Sequence, residues 1–316
     1  AIRAQELFFF STANPVIETG GVLGESKRNI LERIPTSYLP VTLFVEADEQ
    51  ELIPLLERLK AAGLSFPLIA KPDIGERGFL VEKLESATDL AGYLRKARVA
   101  FLLQEFIDLP LEISVMYHRY PDHDQGFVTS LCVKEMLSVQ GDGISTVADL
   151  MMDYPRARLQ LGRFRNTKPE LLNQVPLAGE TVLLEPIGNH CRGTTFLNGN
   201  HHIDQSLTDV FHAIGREMEG IHYGRFDLKC AGIKRLKEGK DIKILEFNGV
   251  AGEPAHIFDP AYPVWQSYRD IFRHWGIIYR ISSEQISRGI KAMTLGEAAG
   301  AVIAYRRYMR QAKRGE

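Results

Sequence analysis

Two short apolar runs carry acidic, amide and guanidinium groups at offsets of two. YGRFDLKC presents Arg225 and Asp227, and KILEFNG presents Glu246 and Asn248. In a strand, residues two apart project from one face, so each pair shares a face. Pairing the two strands brings Asp227, Glu246 and Asn248 together. Clustered hard oxygen donors with no His or Cys among them suit Mg²⁺ rather than zinc. The stretch between, GIKRLKEGK, is polar and ends in Gly-Lys, which predicts a hairpin connection. The competing reading is a half-buried hairpin whose charged face meets water.

A second chemical feature lies upstream, in PLIAKPDIGERGFLVEKL. A predicted strand delivers Lys71, a tight loop with Gly75 and Gly78 follows, and a second strand returns. Backbone N–H groups approach an anion closely where no Cβ intrudes, and an ammonium neutralises its charge. The arrangement suits phosphate, although an ordinary hairpin with a surface lysine has the same pattern. No G-x-x-x-x-G-K-[ST] occurs, which excludes a P-loop nucleotidase. The run FLLQEFI offers Gln104 and Glu105 and then main chain to a purine edge. Glu112, just beyond, is placed for a ribose hydroxyl; the alternative is a core strand with polar edges. Arg192, beside Gly193 and two threonines, could hold a phosphate or carboxylate bidentately. His190, His201 and His202 lack further ligands at zinc spacing.

Other elements must position these groups. Ser26 caps a helix that begins at Lys27. VTLFVEA reads as a strand, and DEQELIPLLERLKAAG as an amphipathic helix closed by Gly63. SATDLAGYLRKAR is a helix opened by Ser86 or Thr88. Residues 126–137 read as a strand carrying Lys134. GDGISTVADL is a turn into a helix capped by Ser145 or Thr146, whose N-terminus suits an anion. The basic run 153–180 is either a solvated helical face or a mobile flap. SLTDVFHAIGREMEG is a helix capped by Ser206 or Thr208 and ended by Gly220. Trp265 to Arg280 is an aromatic-rich helix, and a basic-tipped helix closes the chain. No Ser–His–Asp or Cys–His arrangement is evident.

Composition narrows the class. With 316 residues, 45% apolar and 25% charged, the chain suits two or three packed lobes. A net charge of −2 gives no basic field for nucleic acid. Three widely spaced cysteines form no framework and suit a reducing, cytoplasmic setting. Phe8–Phe10 is too short for a membrane span, so no membrane partner is expected.

Taken together, these segments resemble the ATP-grasp superfamily, specifically the carboxylate–amine ligases related to D-alanine–D-alanine ligase. The order is a lysine after an N-terminal loop (Ser26-Lys27), LIAKPDIGERGF, LLQEFI with Glu112 downstream, then RFD and EFNGVAG. GDGISTVADL is also similar to a segment of cyanophycin synthetase. The resemblance covers roughly residues 26–260. It implies an α+β fold of two lobes built on antiparallel sheets, with ATP in the cleft between them and helices at the C-terminus. The implied division is 1–40 as an N-terminal segment, 41–115 as the small lobe, 116–262 as the lobe with the metal and substrate site, and 263–316 as a helical extension. Lys27 and Lys71 would hold ATP phosphates, and the Gly75–Gly78 loop would close over them. Gln104, Glu105, Phe106 and Ile107 would bind adenine, and Glu112 the ribose. Asp227, Glu246 and Asn248 would hold two Mg²⁺ ions, with Mn²⁺ as a substitute. Arg225 and the N–H of Gly252 would stabilise an oxyanion, and Arg192 would meet the γ-phosphate or the substrate carboxylate.

The implied activity is ATP-dependent ligation of a small-molecule carboxylate and amine, an amino acid or small peptide, through an acyl phosphate. Alternatives are an ATP-grasp small-molecule kinase and a non-catalytic nucleotide-binding protein; a homodimer is left open. About 25 residues precede Lys27, too few for a domain of ordinary size, so the acceptor would be held by residues 141–175 or a partner subunit. Gln104 stands where D-alanine ligases place an acid, and EPAHIFDP is unlike their substrate segment, so the resemblance does not extend to D-alanine as substrate.

Overall fold

The computed structural model describes residues 6–49, 51–76 and 78–315; residue 77 of the glycine loop lies outside them. Two compact units emerge: Ala1–Cys132 with Asn198–Glu316, and Val133–Leu197. The expected division into four consecutive segments differs from this, because the chain leaves the main sheet and re-enters it later.

In the first unit, α1 (Lys27–Leu31) is capped as expected, with Ser26 accepting from the Asn29 N–H at 3.1 Å. A four-stranded antiparallel sheet follows, from β1 (Thr42–Val45), β2 (Leu68–Pro72), β3 (Glu82–Leu84) and β4 (Phe101–Glu105), in the order β1-β4-β2-β3. Helices α2 (Leu52–Ala61) and α3 (Ala87–Lys96) share a core with it around Leu55, Leu68, Leu90, Tyr93 and Phe101. The FLVEKL strand is shorter than expected, with its first residues in a turn. Strands β5 (Leu111–Arg119) and β6 (Gly126–Glu135) then open the main sheet.

The second unit holds β7 (Ser138–Gln140), α4 (Val147–Asp153), α5 (Pro155–Arg158), α6 (Leu161–Thr167), α7 (Pro169–Leu172), β8 (Thr181–Leu183) and β9 (Thr195–Asn198), whose last residue belongs to the first. Its core gathers Val147, Met151, Phe164 and Leu184. Thr146 and Asp149 form a reciprocal capping box on α4. Asp142 accepts from the N–H groups of Ile144 and Ser145, so the GDG turn supplies its own anion. The basic run is helical, and several of its charges work internally. Arg156 donates to Gly193 and Thr194 carbonyls, and Lys168 to that of Leu184.

Back in the first unit come α8 (Gln205–Glu217), β10 (Tyr223–Cys230), α9 (Ile233–Lys237), β11 (Ile242–Asn248), α10 (Val264–Ser287) and α11 (Leu295–Ala312). The main sheet here runs β11-β10-β5-β6. The cap of α8 is Asp204, not Ser206 or Thr208: its carboxylate accepts from the Leu207 N–H and pairs with Lys237. The β10–β11 connection is likewise not a plain polar turn. The residues KRLK are good helix formers and lie within α9, with Arg235 bridging Glu238 and Asp241.

Buried Asn14 ties the N-terminal loop to the main sheet. Its amide donates to Gly20 and Tyr223 carbonyls, and its oxygen accepts from the His222 and Tyr223 N–H groups. Val250 and Ala251 N–H groups donate to Gly20 and Gly21 carbonyls. A Cβ on Gly21 would lie 2.5 Å from the Gly249 backbone, and Gly21 has a φ of +88°, so glycine is required there. The loop before α1 is thereby stitched to the end of β11.

Candidate active site

Strand register sets the centre of the site. In the β10–β11 pair Asp227 faces Glu246 and Arg225 faces Asn248, with a bulge between Asp227 and Leu228. On the other side of β10, Asp227 faces Ser114 and Lys229 faces Glu112. All of these share one face of the sheet. The expected convergence of Arg225, Asp227, Glu246 and Asn248 is therefore present. Arg225 holds Asp227 bidentately, Nε to Oδ1 and Nη2 to Oδ2, both at 3.1 Å. Asn248 Nδ2 donates to Asp227 Oδ2 at 3.1 Å, and the Ser114 hydroxyl donates to Oδ1. The remaining Arg225 nitrogen, Nη1, donates to the Glu253 carbonyl at 3.0 Å. Burial works against the guanidinium charge, but Asp227 outweighs it and leaves the Arg225 pKa raised.

Two lysines from different elements converge on β11. Lys71, only 6% exposed, donates to Gln104 Oε1 at 3.0 Å and to the Leu245 carbonyl at 2.8 Å. Lys27, 9% exposed, donates to the Gly75 carbonyl at 2.7 Å and lies 3.4 Å from Glu246 Oε1. Burial brings the Lys71 pKa down to about 8; Glu246 opposes the shift and the Lys27 charge adds to it. Two like charges held out of water favour an anion beside both, and Glu246 is the one the fold supplies. Gly75 and Gly78 both have positive φ, at +159° and +74°.

The candidate adenine strand is partly engaged already. Gln104 Nε2 donates to Thr42 Oγ1 while Oε1 accepts from Lys71. Glu105 accepts from the Val41 N–H. Phe106 has Lys83 at 4.2 Å and Lys229 at 5.3 Å from its ring centre, and Lys229 donates to the Ile107 carbonyl. Glu112 is buried, two residues from Ser114 on the same strand. The Gly252 N–H donates to the Gly249 carbonyl at 2.9 Å, so an oxyanion role requires that turn to open. Arg192 belongs to the second unit, where it stands 3.7 Å from buried Glu185, which also meets Arg163 at 2.8 Å.

Residues not singled out in the sequence also take part. Ser114 was hidden within an apolar strand. Glu25 lies two residues before Lys27 and brings an unpartnered buried carboxylate oxygen beside Glu246. A Ser–His–Asp chain also exists, contrary to expectation: Ser130 Oγ lies 2.7 Å from His256 Nδ1, and His256 Nε2 lies 3.1 Å from Asp270 Oδ2. The three residues are scattered along the chain, so only folding reveals them. All three are buried, which closes the serine to substrate. Burial keeps the imidazole pKa below its usual value despite Asp270, and the chain instead anchors the segment after Gly252.

Burial, with the Glu246 charge adding to it, pushes the Glu25 pKa up to about 7. The folded value exceeds the unfolded one, so stability falls as pH rises from the ordinary carboxyl range to about 7 and is flat above it. Glu25→Gln is expected to raise stability by about 3 kcal/mol at pH 8, and by close to nothing at pH 4. Denaturant titrations at both pH values, without divalent cation, check this; equal gains at both would contradict it.

No protein-family model matches the chain, and no curated protein matches it. Among solved structures it is similar to a D-Ala:D-Ser ligase from Enterococcus faecalis, with 11% identity and a TM-score of 0.45, covering 86% of this chain and 62% of that one. It is similar to a D-alanine–D-alanine ligase from Bacillus anthracis, with 13% identity and a TM-score of 0.44, covering 87% and 70%. It is also similar to a bifunctional glutathione synthetase from Pasteurella multocida, with 14% identity and a TM-score of 0.40, covering 84% of this chain and 36% of that one. The chain thus spans between about a third and two thirds of the length of the D-Ala:D-Ser ligase and the glutathione synthetase.

Proposed function

We propose that the chain is an ATP-dependent ligase that joins a small-molecule carboxylate to an amine through an acyl phosphate. One observation carries this reading: Lys27 and Lys71, both buried and from separate elements, converge beside Glu246. A polyphosphate meets both cations at once, and Glu246 supplies the neighbouring oxygen donor. The donor set fits a hard cation in type, since Asp227, Glu246 and Asn248 offer only oxygen ligands. The unpartnered Glu25 oxygen beside Glu246 is a group that such a cation would satisfy. Bound Mg²⁺ would neutralise phosphate charge. Asp227 already shares both oxygens with Arg225, which leaves Glu246 as the principal ligand.

In this reading the substrate carboxylate attacks the γ-phosphorus and ADP departs. The amine then attacks the acyl carbon and inorganic phosphate leaves, so no protein nucleophile is needed. Arg225 would face charge developing on the acyl oxygen through Nη1, by giving up its bond to the Glu253 carbonyl. A phosphate-release screen over pairs of carboxylates and amines tests the proposal. Release that requires both partners supports ligation. Release from ATP with one partner and a stable phosphorylated product favours a kinase, and no release with any pair contradicts catalysis.

A further inference from the structure

The C-terminal helix α11 is mostly exposed; of its described residues Ala312 alone is fully buried. From the sequence it is a basic-tipped helix with no part in the site. Its last turns nevertheless reach Asp73–Gly75, the segment that leads from β2 into the glycine loop. The Tyr308 hydroxyl accepts from the Ile74 N–H at 3.2 Å and donates to the Ala100 carbonyl at 3.4 Å. That carbonyl, just before β4, also accepts from the Asp73 N–H at 3.0 Å. Further along the helix, Gln311 Nε2 donates to the Arg98 carbonyl at 2.8 Å. One turn earlier Tyr305 lies beside Gly24, where a Cβ would sit 3.8 Å from its ring. Burial raises the Tyr308 pKa, so the hydroxyl keeps its proton and serves both partners.

The other side of the segment is held by α1. The Asp73 carbonyl accepts from the Lys27 N–H at 3.1 Å, and Asp73 Oδ1 accepts from the Arg28 N–H at 2.9 Å and the Ser26 hydroxyl at 3.0 Å. The Gly75 carbonyl then accepts from Lys27 Nζ at 2.7 Å. Asp73, Ile74 and Gly75 lie outside every helix and strand, so these bonds are what fix their main chain. Tyr308 thereby bears on the Lys27 ammonium through the main chain of Ile74 and Gly75.

We propose that Tyr308 is a positioning residue for the nucleotide phosphates: through the Ile74 N–H it sets the main chain that aims Lys27. The role rests on the nucleotide reading given above. Small displacements of a positioned group cost binding at that group and not elsewhere. In that reading AMP does not reach the two lysines, so the loss falls on ATP. A helix that merely covers the sheet would change both affinities together, or neither. The link is hidden in the sequence because 234 residues separate Ile74 from Tyr308, and no local pattern spans them.

Tyr308→Phe keeps the ring and removes the hydroxyl. In the nucleotide-free chain the Ile74 amide, deprived of its acceptor, is expected to exchange with deuterium about fivefold faster than in the parent. By calorimetry MgATP is expected to bind about fivefold more weakly, with AMP affinity unchanged. An MgATP affinity equal to the parent's overturns the proposal whatever the exchange rate. A loss shared equally by MgATP and AMP also overturns it, leaving Tyr308 a structural residue. Unchanged exchange does so too, because the segment would not be what Tyr308 holds. A parent that binds no MgATP overturns the nucleotide reading and the role with it, while faster exchange in Tyr308→Phe would still assign α11 to the Asp73–Gly75 segment.

Discussion

Lys71→Met is expected to remove most of the stabilisation that MgATP gives the chain. Lys71 is buried at the join of β2 and β11 and keeps company with Lys27. Truncating one partner of a buried, hydrogen-bonded charge pair at a binding site costs about 2–5 kcal/mol, on the order of a hundredfold in affinity. At an ATP concentration about a hundred times the parent's dissociation constant, the parent gains about 2.7 kcal/mol. A variant binding a hundredfold more weakly gains only about 0.4 kcal/mol at the same concentration. Denaturant titration with and without MgATP reads the difference, and the nucleotide-free curve shows separately whether the fold survives. A Lys71→Met protein stabilised as much as the parent would remove Lys71 from the phosphate site.

The second large effect concerns the Arg225–Asp227 pair. Both side chains are mostly buried, with the bidentate geometry reinforced by Ser114 and Asn248. Arg225→Met leaves a buried carboxylate without its cation, and the expected loss is about 3–5 kcal/mol. Adding Asp227→Asn removes the stranded charge while keeping an oxygen for Ser114, and is expected to recover much of that loss. A double-mutant cycle should show a coupling of about 1–3 kcal/mol. Additive losses would mean that the pair is not what organises this region of the sheet.

The period of two in RFD and EFN sufficed to place four side chains on one sheet face, because register along a strand is a local property. Lys71 was legible for the same reason, as a charged residue closing an apolar run before a glycine loop. Glu25 was not: its carboxylate lies beside Gly21 where that residue meets Gly249, a contact between distant stretches of the chain. The Ser130–His256–Asp270 chain was invisible for the same reason. Cap selection failed differently, since Asp204, Ser206 and Thr208 are all competent caps and Lys237, far along the chain, bonds Asp204. The α9 turn was misread because its charges suggested a loop, although its residue types favour helix. The excursion that makes the second unit was also hidden, since β6 reads as an ordinary strand and no local signal marks β9, where the chain returns.

The central claim is that buried Lys27 and Lys71 form a nucleotide phosphate site. Calorimetric titration of the chain with MgATP, and in parallel with AMP, tests it most directly. Saturable binding of one ATP per chain is expected, with AMP weaker by about tenfold or more because it lacks the phosphates that meet the two lysines. Absence of binding at millimolar MgATP, or equal affinity for AMP and ATP, would contradict it.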